Sequence, residues 1–229
     1  TELDVMSRIL FITPKQPSTN PRMRKAADAL ASAGHEVHVL YAYNADWATE
    51  ADEEILAQSA WTHERIGGNP HEEPVTYHWG RFQRKLSAAL GRLESSYCRS
   101  LSSFIRAGLK WQPDLVIGHN PGALFPTHEI ARRLQVPSLF DAEDYHRGES
   151  DSDTINASVT QLENRWLPKM TAVTTAAPLI TQAYQALYPE QRFVTVNNAF
   201  PLTYSAFKVQ PHKGPLRLVW FSQVVGRDR

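Results

Sequence analysis

Arg8-Ile9-Leu10-Phe11-Ile12-Thr13, Pro14-Lys15-Gln16-Pro17-Ser18-Thr19, Asn20-Pro21 and Gly34-His35-Glu36-Val37-His38-Val39-Leu40-Tyr41-Ala42 decide the fold. The first run is short, apolar and β-branched, which predicts a strand buried on both faces. The second is loop by composition. At Asn20-Pro21 a helix starts: Asn caps free N–H groups, and Pro suits a first helical position whose N–H has no partner anyway. Met23, Ala26, Ala27 and Leu30 then recur on one helical face. Gly34 ends the helix, and 36–42 reads as the next strand. Strand, loop, helix, glycine and strand within about 35 residues make a βαβ unit, which requires parallel strands and a right-handed crossover.

The pattern continues outward. Strands are predicted at 115–118, 138–141, 172–175 and 193–197. Helices are predicted at 126–134, around 156–168 and at 178–188. This alternation predicts an α/β fold, a Rossmann-like parallel sheet with helices on both faces.

Two segments break the rhythm. Residues 44–73 are acidic (Asp46, Glu50, Asp52, Glu53, Glu54, Glu64, Glu72, Glu73 against Arg65). Residues 81–110 read as a basic helix (Arg81, Arg84, Lys85, Arg92, Arg99, Arg106, Lys110 against Glu94). One reading is a solvated loop beside a solvated helix face. The other gives the basic helix a peripheral contact with anionic lipid headgroups or an anionic acceptor. Farther on, 203–215 reads as a linker, and Leu216–Phe221 as a strand opening a second domain. The expected organisation is a domain over 1–202, a linker over 203–215 and a truncated domain over 216–229.

Composition narrows the function classes. The 229 residues carry 24 Lys+Arg and 24 Asp+Glu, for a net charge of zero. A protein that coats nucleic acid needs a large cationic excess, so no nucleic-acid partner is expected. The 42% hydrophobic content is that of a globular domain. Cys98 is the one cysteine, which excludes a disulfide scaffold and favours a reducing compartment. Thr1–Ser7 is too short and polar for a secretory signal. The expectation is a cytoplasmic protein, with the basic helix as a candidate peripheral membrane contact.

In an open parallel sheet, ligands bind beyond the carboxyl ends of the strands. Thr19, Asn20 and Arg22 follow the first strand at a helix N-terminus, where free N–H groups favour anions and hydroxyl oxygens. His119 and Asn120 follow 115–118. Asp141, Glu143, Asp144 and His146 crowd the end of 138–141, and carboxylates so close shift one another's titration, as at many active sites. Thr175 closes 172–175, and Asn198 follows 193–197. No dinucleotide, P-loop, His-Glu-x-x-His or Gly-x-Ser-x-Gly motif occurs. Asp141, Glu143 and His146 match no strong metal spacing, so no metal ligand is assigned.

These residues resemble a known family. Arg8–Leu40, Asp114–His119, Phe140–His146, Thr171–Thr175 with the helix after it, and Asn197-Asn198-Ala199-Phe200-Pro201 are similar, in order and spacing, to retaining glycosyltransferases of family four, which have the GT-B fold. The resemblance implies a two-domain enzyme with this chain as the N-terminal, acceptor-binding half. A nucleotide-sugar would be its co-substrate, with no further cofactor, and a glycan or lipid-linked molecule its acceptor in polysaccharide biosynthesis. Glu143, Asp144 and His146 would line the cleft near the transferred sugar, with His119 beside them and Asn20 and Arg22 near the phosphates. Thr19, Asn120, Asp141, Thr175 and Asn198 would complete the binding surface. Glu143 stands where the family has a histidine, Ser18-Thr19-Asn20 replaces its Gly-Gly loop, and Arg229 falls at its diphosphate-binding Lys. The alternative is a flavodoxin-like ligand-binding module without catalysis.

Overall fold

The computed structural model describes residues 6–199 and 214–215. The expected linker at 203–215, apart from Gly214 and Pro215, lies outside them, as do the strand at 216–221 and Arg229. Thr1–Asn198 forms one unit and Ala199–Arg229 another.

Seven strands build one sheet: β1 (Arg8–Thr13), β2 (Glu36–Tyr41), β3 (Thr62–Arg65), β4 (Leu115–His119), β5 (Ser138–Ala142), β6 (Ala172–Thr175) and β7 (Phe193–Thr195). Their spatial order is β3-β2-β1-β4-β5-β6-β7, and every neighbouring pair is parallel. The chain steps outward from β1 to β3, then returns to the other side of β1 with β4.

The helices are α1 (Pro21–Ser32), α2 (Thr49–Gln58), α3 (Pro74–Ala89), α4 (Leu93–Tyr97), α5 (Leu101–Trp111), α6 (Leu124–Leu134), α7 (Asp153–Trp166) and α8 (Pro178–Leu187). Asn20 caps α1 as its sequence predicts, accepting a hydrogen bond from the Met23 N–H. Gly34 follows the helix at φ +90°, a backbone angle that suits glycine.

Alternation along the strands divides the core into two layers. Ile9, Phe11, Val37, Val39 and Ile117 pack against Met23 and Ala27 of α1. Leu10, Ile12, Leu40 and Val116 face the other way, onto Phe104 of α5 and Ile130 of α6. A third cluster joins Phe140, Ala142 and Val173 to Leu162 of α7 and Tyr184 of α8. Burial on both faces explains why the strands read as continuous apolar runs. Cys98 is buried, which pushes its thiol up to about 12.

Two expectations are corrected. The acidic segment is not a loop throughout, for it holds α2 and the edge strand β3. Asp52 is buried there and accepts hydrogen bonds from Gln16 Nε2 (2.7 Å) and the Ser18 N–H (2.8 Å). The segment 81–110 is three helices rather than one, because the chain turns at Gly91 (φ +66°) and Ser100 (φ +60°). Arg99 is no surface cation. It is buried, donates to the carbonyls of Gly67 (2.7 Å) and Tyr43 (2.9 Å), and lies over the Tyr77 ring.

His38 gives the fold a pH dependence. Its ring stacks on Trp111 and bonds the Thr62 hydroxyl at 2.7 Å. Burial, with His63 nearby, lowers its pKa to about 4 from 6.5. Between those values the unfolded chain binds the extra proton, so stability falls as pH drops through that window. Chemical denaturation from pH 7 to 4 should show this loss, and His38→Gln should reduce it. A His38→Gln profile parallel to that of the parent would contradict this origin.

Candidate functional site

The candidate residues converge where the strand order reverses, at the carboxyl ends of β1 and β4. That crevice is where open parallel sheets bind ligands. The register there puts Asp141 beside His119 on one side and Thr174 on the other. Three adjacent strands thus bring three polar side chains into one row.

Asp141 is the centre of the row. Arg22, in the first turn of α1, grips it with both arms of its guanidinium: Nε donates to Oδ2 at 2.6 Å and Nη2 to Oδ1 at 2.8 Å. The side chains are 9% and 7% exposed. The third arm, Nη1, donates to the Val196 carbonyl at 2.7 Å, and the Thr174 hydroxyl donates to Asp141 Oδ1. Burial works to raise the Asp141 carboxyl, but the Arg22 hydrogen bond, His119 and Thr174 outweigh it and hold the group below its ordinary range. Burial likewise works against the Arg22 charge, and the bond to Asp141 overcomes it and raises that pKa.

Glu143 gathers the remaining groups. Its Oε1 accepts from Asn20 Nδ2 at 2.9 Å and from Asn120 Nδ2 at 3.2 Å. His119 Nδ1 lies 3.2 Å from the same oxygen and 3.4 Å from Asp141 Oδ2. The His119 ring stacks on Phe11 with centroids 5.6 Å apart. With Nδ1 turned to two carboxylates, a proton is assigned to Nδ1, which leaves Nε2 outside those contacts.

Two features make this corner a candidate ligand site. His119 Nε2 and Asn120 Oδ1 are buried without a hydrogen-bond partner among the described residues. Buried polar atoms are normally paired, so an unpaired one calls for a water or ligand. Asn120 also holds φ +66° and ψ 152°, a region nearly reserved for glycine that costs about 1–3 kcal/mol. Such strain tends to collect at active sites and ligand clamps.

The other candidates lie apart from this cluster. The Thr19 hydroxyl donates to the Gln16 carbonyl at 2.8 Å. Thr175 is fully buried and bonds the Thr181 hydroxyl of α8, because its side chain leaves β6 on the opposite face from Thr174. His146 is buried edge-on to Phe140, with Nδ1 2.9 Å from Glu149. Asp144 is exposed, yet the surrounding protein, and then Glu149 and Glu143, push its carboxyl up. Asn198 is exposed and accepts from Lys25. Arg22, expected near phosphates, spends its three nitrogens inside the protein.

Two contributors were missed. Thr174 is placed by its register with Asp141, and neither it nor the Val196 carbonyl left a distinguishing sequence signal. Donor atoms of His119, Asp141 and Glu143 do come within 4.8 Å of one another, with His119 and not His146 completing the trio. Arg22 engages both Asp141 oxygens, and the Glu143 oxygen facing the trio already meets three nitrogens.

Asn20 tests this geometry. Asp caps helices as well as Asn does, but Asn20→Asp sets a carboxylate against Glu143. It should therefore cost about 1–2 kcal/mol in a denaturation midpoint. Stability equal to that of the parent would show that the Asn20–Glu143 contact carries no weight.

Comparison with solved structures finds the same fold. HepE from Anabaena, in complex with UDP-glucose, superposes with a TM-score of 0.52 at 14% identity, covering 86% of this chain and 45% of that one. Sucrose-phosphate synthase from Thermosynechococcus elongatus gives 0.58 at 12% identity, covering 86% and 49%. The Glycyrrhiza uralensis enzyme UGT73P12, complexed with glycyrrhetinic acid 3-O-monoglucuronide, gives 0.51 at 12%, covering 85% and 49%. The chain thus spans about half the length of these proteins. No curated protein matches it by sequence. The glycosyl transferase 4-like domain family matches residues 19–199. The fold and this match, across most of the sequence, place the chain in the glycosyl transferase 4-like domain family.

Proposed function

We propose that the chain is the acceptor-side part of a retaining glycosyltransferase, moving a hexosyl group from a nucleotide-sugar to a hydroxyl of a glycan or lipid-linked acceptor. The observation that carries this reading is the polar corner at the β1/β4 crevice, with His119 Nε2 and Asn120 Oδ1 buried and unspent. The family match supports transfer, and the resemblance to family-four enzymes supports retention of configuration. The UDP-glucose in the HepE complex supports a nucleotide-sugar donor.

In this reading the roles divide by what each group has left to offer. Arg22 is a positioning residue, because its donors hold Asp141 and the Val196 carbonyl. Asp141 and Glu143 fix the His119 ring, leaving Nε2 to meet a sugar hydroxyl. Asn120 offers Oδ1 as an acceptor for another. Asp144, next in sequence to Glu143 and exposed with a raised pKa, adds a carboxyl for the transferred sugar. Transfer breaks the bond between the anomeric carbon and the diphosphate and forms one to the acceptor oxygen, whose hydroxyl proton passes to the departing diphosphate. Charge develops on the leaving diphosphate, and Arg229 is the proposed cation for it. In this reading the His119, Asp141 and Glu143 trio is assigned no metal, since Arg22 already engages both Asp141 oxygens.

The test is a nucleotide-sugar panel on the full-length protein, with polyprenyl-linked and oligosaccharide acceptors. His119→Ala should lower kcat/KM by about 100-fold, as for loss of a positioned polar group at the reacting centre. Asp144→Ala should lower turnover by about tenfold or more with an unchanged melting temperature, because the side chain is exposed. Wild-type turnover in both variants would overturn these roles. Ligand binding with no transfer from any donor would leave a binding module instead.

A further inference from the structure

Helix α3 is built inside out. An ordinary surface helix turns its apolar stripe to the core and its polar face to water. The part of α3 that faces the protein is small or polar: Gly80 is buried, and Tyr77 and Ser87 are half-buried. Tyr77 lies under the Arg99 guanidinium, and Gly80 sits so close to Ser100 that an added Cβ would meet its Oγ at 2.8 Å.

Val75, Trp79 and Phe82 point the other way, while Leu86 and Leu90 edge a cleft toward Leu101 and Ile105. Val75, Trp79, Phe82 and Leu86, with Leu90 just past the helix end, are 48–83% exposed. Their spacing of four, three, four and four places them within an arc of about 80°, at about 100° per residue. Trp79 stacks on Phe82 with centroids 5.6 Å apart. Pro74, Val75, His78, Trp79 and Phe82 line one apolar depression.

Charge says what covers this face. From Pro74 to Arg92 there is no Asp or Glu, while Arg81, Arg84, Lys85 and Arg92 are cationic. On the helical projection Arg81 and Lys85 share one flank of the stripe. All four cations are exposed. An aromatic and aliphatic stripe bordered by Arg and Lys is the pattern of a helix lying in a membrane interface, its apolar face among acyl chains and its cations at headgroups. A protein partner could bury the stripe as well, but the absence of any acidic residue along it favours a uniformly anionic surface.

We infer that α3 docks the protein on an anionic lipid bilayer through Val75, Trp79 and Phe82, with Leu86 and Leu90 at the edge of the stripe and Arg81 and Lys85 at the headgroups. This moves the contact anticipated for 81–110 toward the N-terminus and removes buried Arg99 from it. The contact is peripheral, as no helix among the described residues is long and apolar enough to cross a membrane. It does not depend on which reaction the β1/β4 crevice supports.

Vesicle co-sedimentation of the chain tests the inference, with phosphatidylcholine alone and mixed with phosphatidylglycerol. Binding should occur on the mixed vesicles only, and should weaken at about 1 M salt, where screening is complete within ~3 Å. Trp79→Ser with Phe82→Ser should reduce it at least tenfold, as should Arg81→Glu with Lys85→Glu. These side chains are exposed, so circular dichroism should be unchanged. The inference is overturned by failure to bind mixed vesicles, by equal binding to both kinds, or by full binding in either variant. A dimer that dissolves on Trp79→Ser with Phe82→Ser, without vesicle binding, would make the stripe a self-interface and overturn it too.

Discussion

The buried ion pair between Arg22 and Asp141 is the constraint on which the site depends. It joins the first helix to the fifth strand across the point where the sheet reverses its order. Two buried charges are costly to desolvate, and their attraction offsets that only with good geometry and satisfied neighbours. Here the guanidinium meets both carboxylate oxygens, and its third arm reaches the Val196 carbonyl. The Thr174 hydroxyl completes the carboxylate. With Asp141 fixed, the His119 ring is held between two carboxylates and the Phe11 face, and Asn20 and Asn120 are drawn to Glu143.

The arrangement follows from chain order. A βαβ start followed by a return to the far side of β1 leaves a crevice between the ends of β1 and β4. Whatever follows β1, β4 and β5 must meet there. The apolar layers above and below the sheet fix strand positions, while the polar cluster uses only side chains at the strand ends. The apolar layers and the polar candidate site therefore use different residues of the same strands. Asn120 is where they meet, with a strained backbone at the end of β4 and a side chain that donates to Glu143.

Much of this was legible in the sequence. Apolar runs bounded by Pro, Gly and Asn gave most of the strands, because burial on both faces leaves a plain signal. Clustering at strand ends pointed to Asn20, His119, Asn120, Asp141 and Glu143. Short edge strand β3 (Thr-His-Glu-Arg) was not legible, since its residues carry no apolar alternation. Strand-end position singles out Thr175 but does not tell which face a side chain takes, and it is Thr174 that reaches Asp141. Long-range partners such as the Val196 carbonyl leave no local trace. Basic residues also looked alike in sequence, although Arg99 is buried structure and Arg81 and Lys85 are surface.

A double-mutant cycle on Arg22→Ala and Asp141→Ala, read by denaturant unfolding, tests the central claim most directly. Each single change leaves one buried charge uncompensated and should cost about 3–5 kcal/mol. The double variant should be more stable than the sum of the two losses implies, with a coupling of at least about 2 kcal/mol. Losses that add to within about 0.5 kcal/mol would show two independent residues and contradict the account.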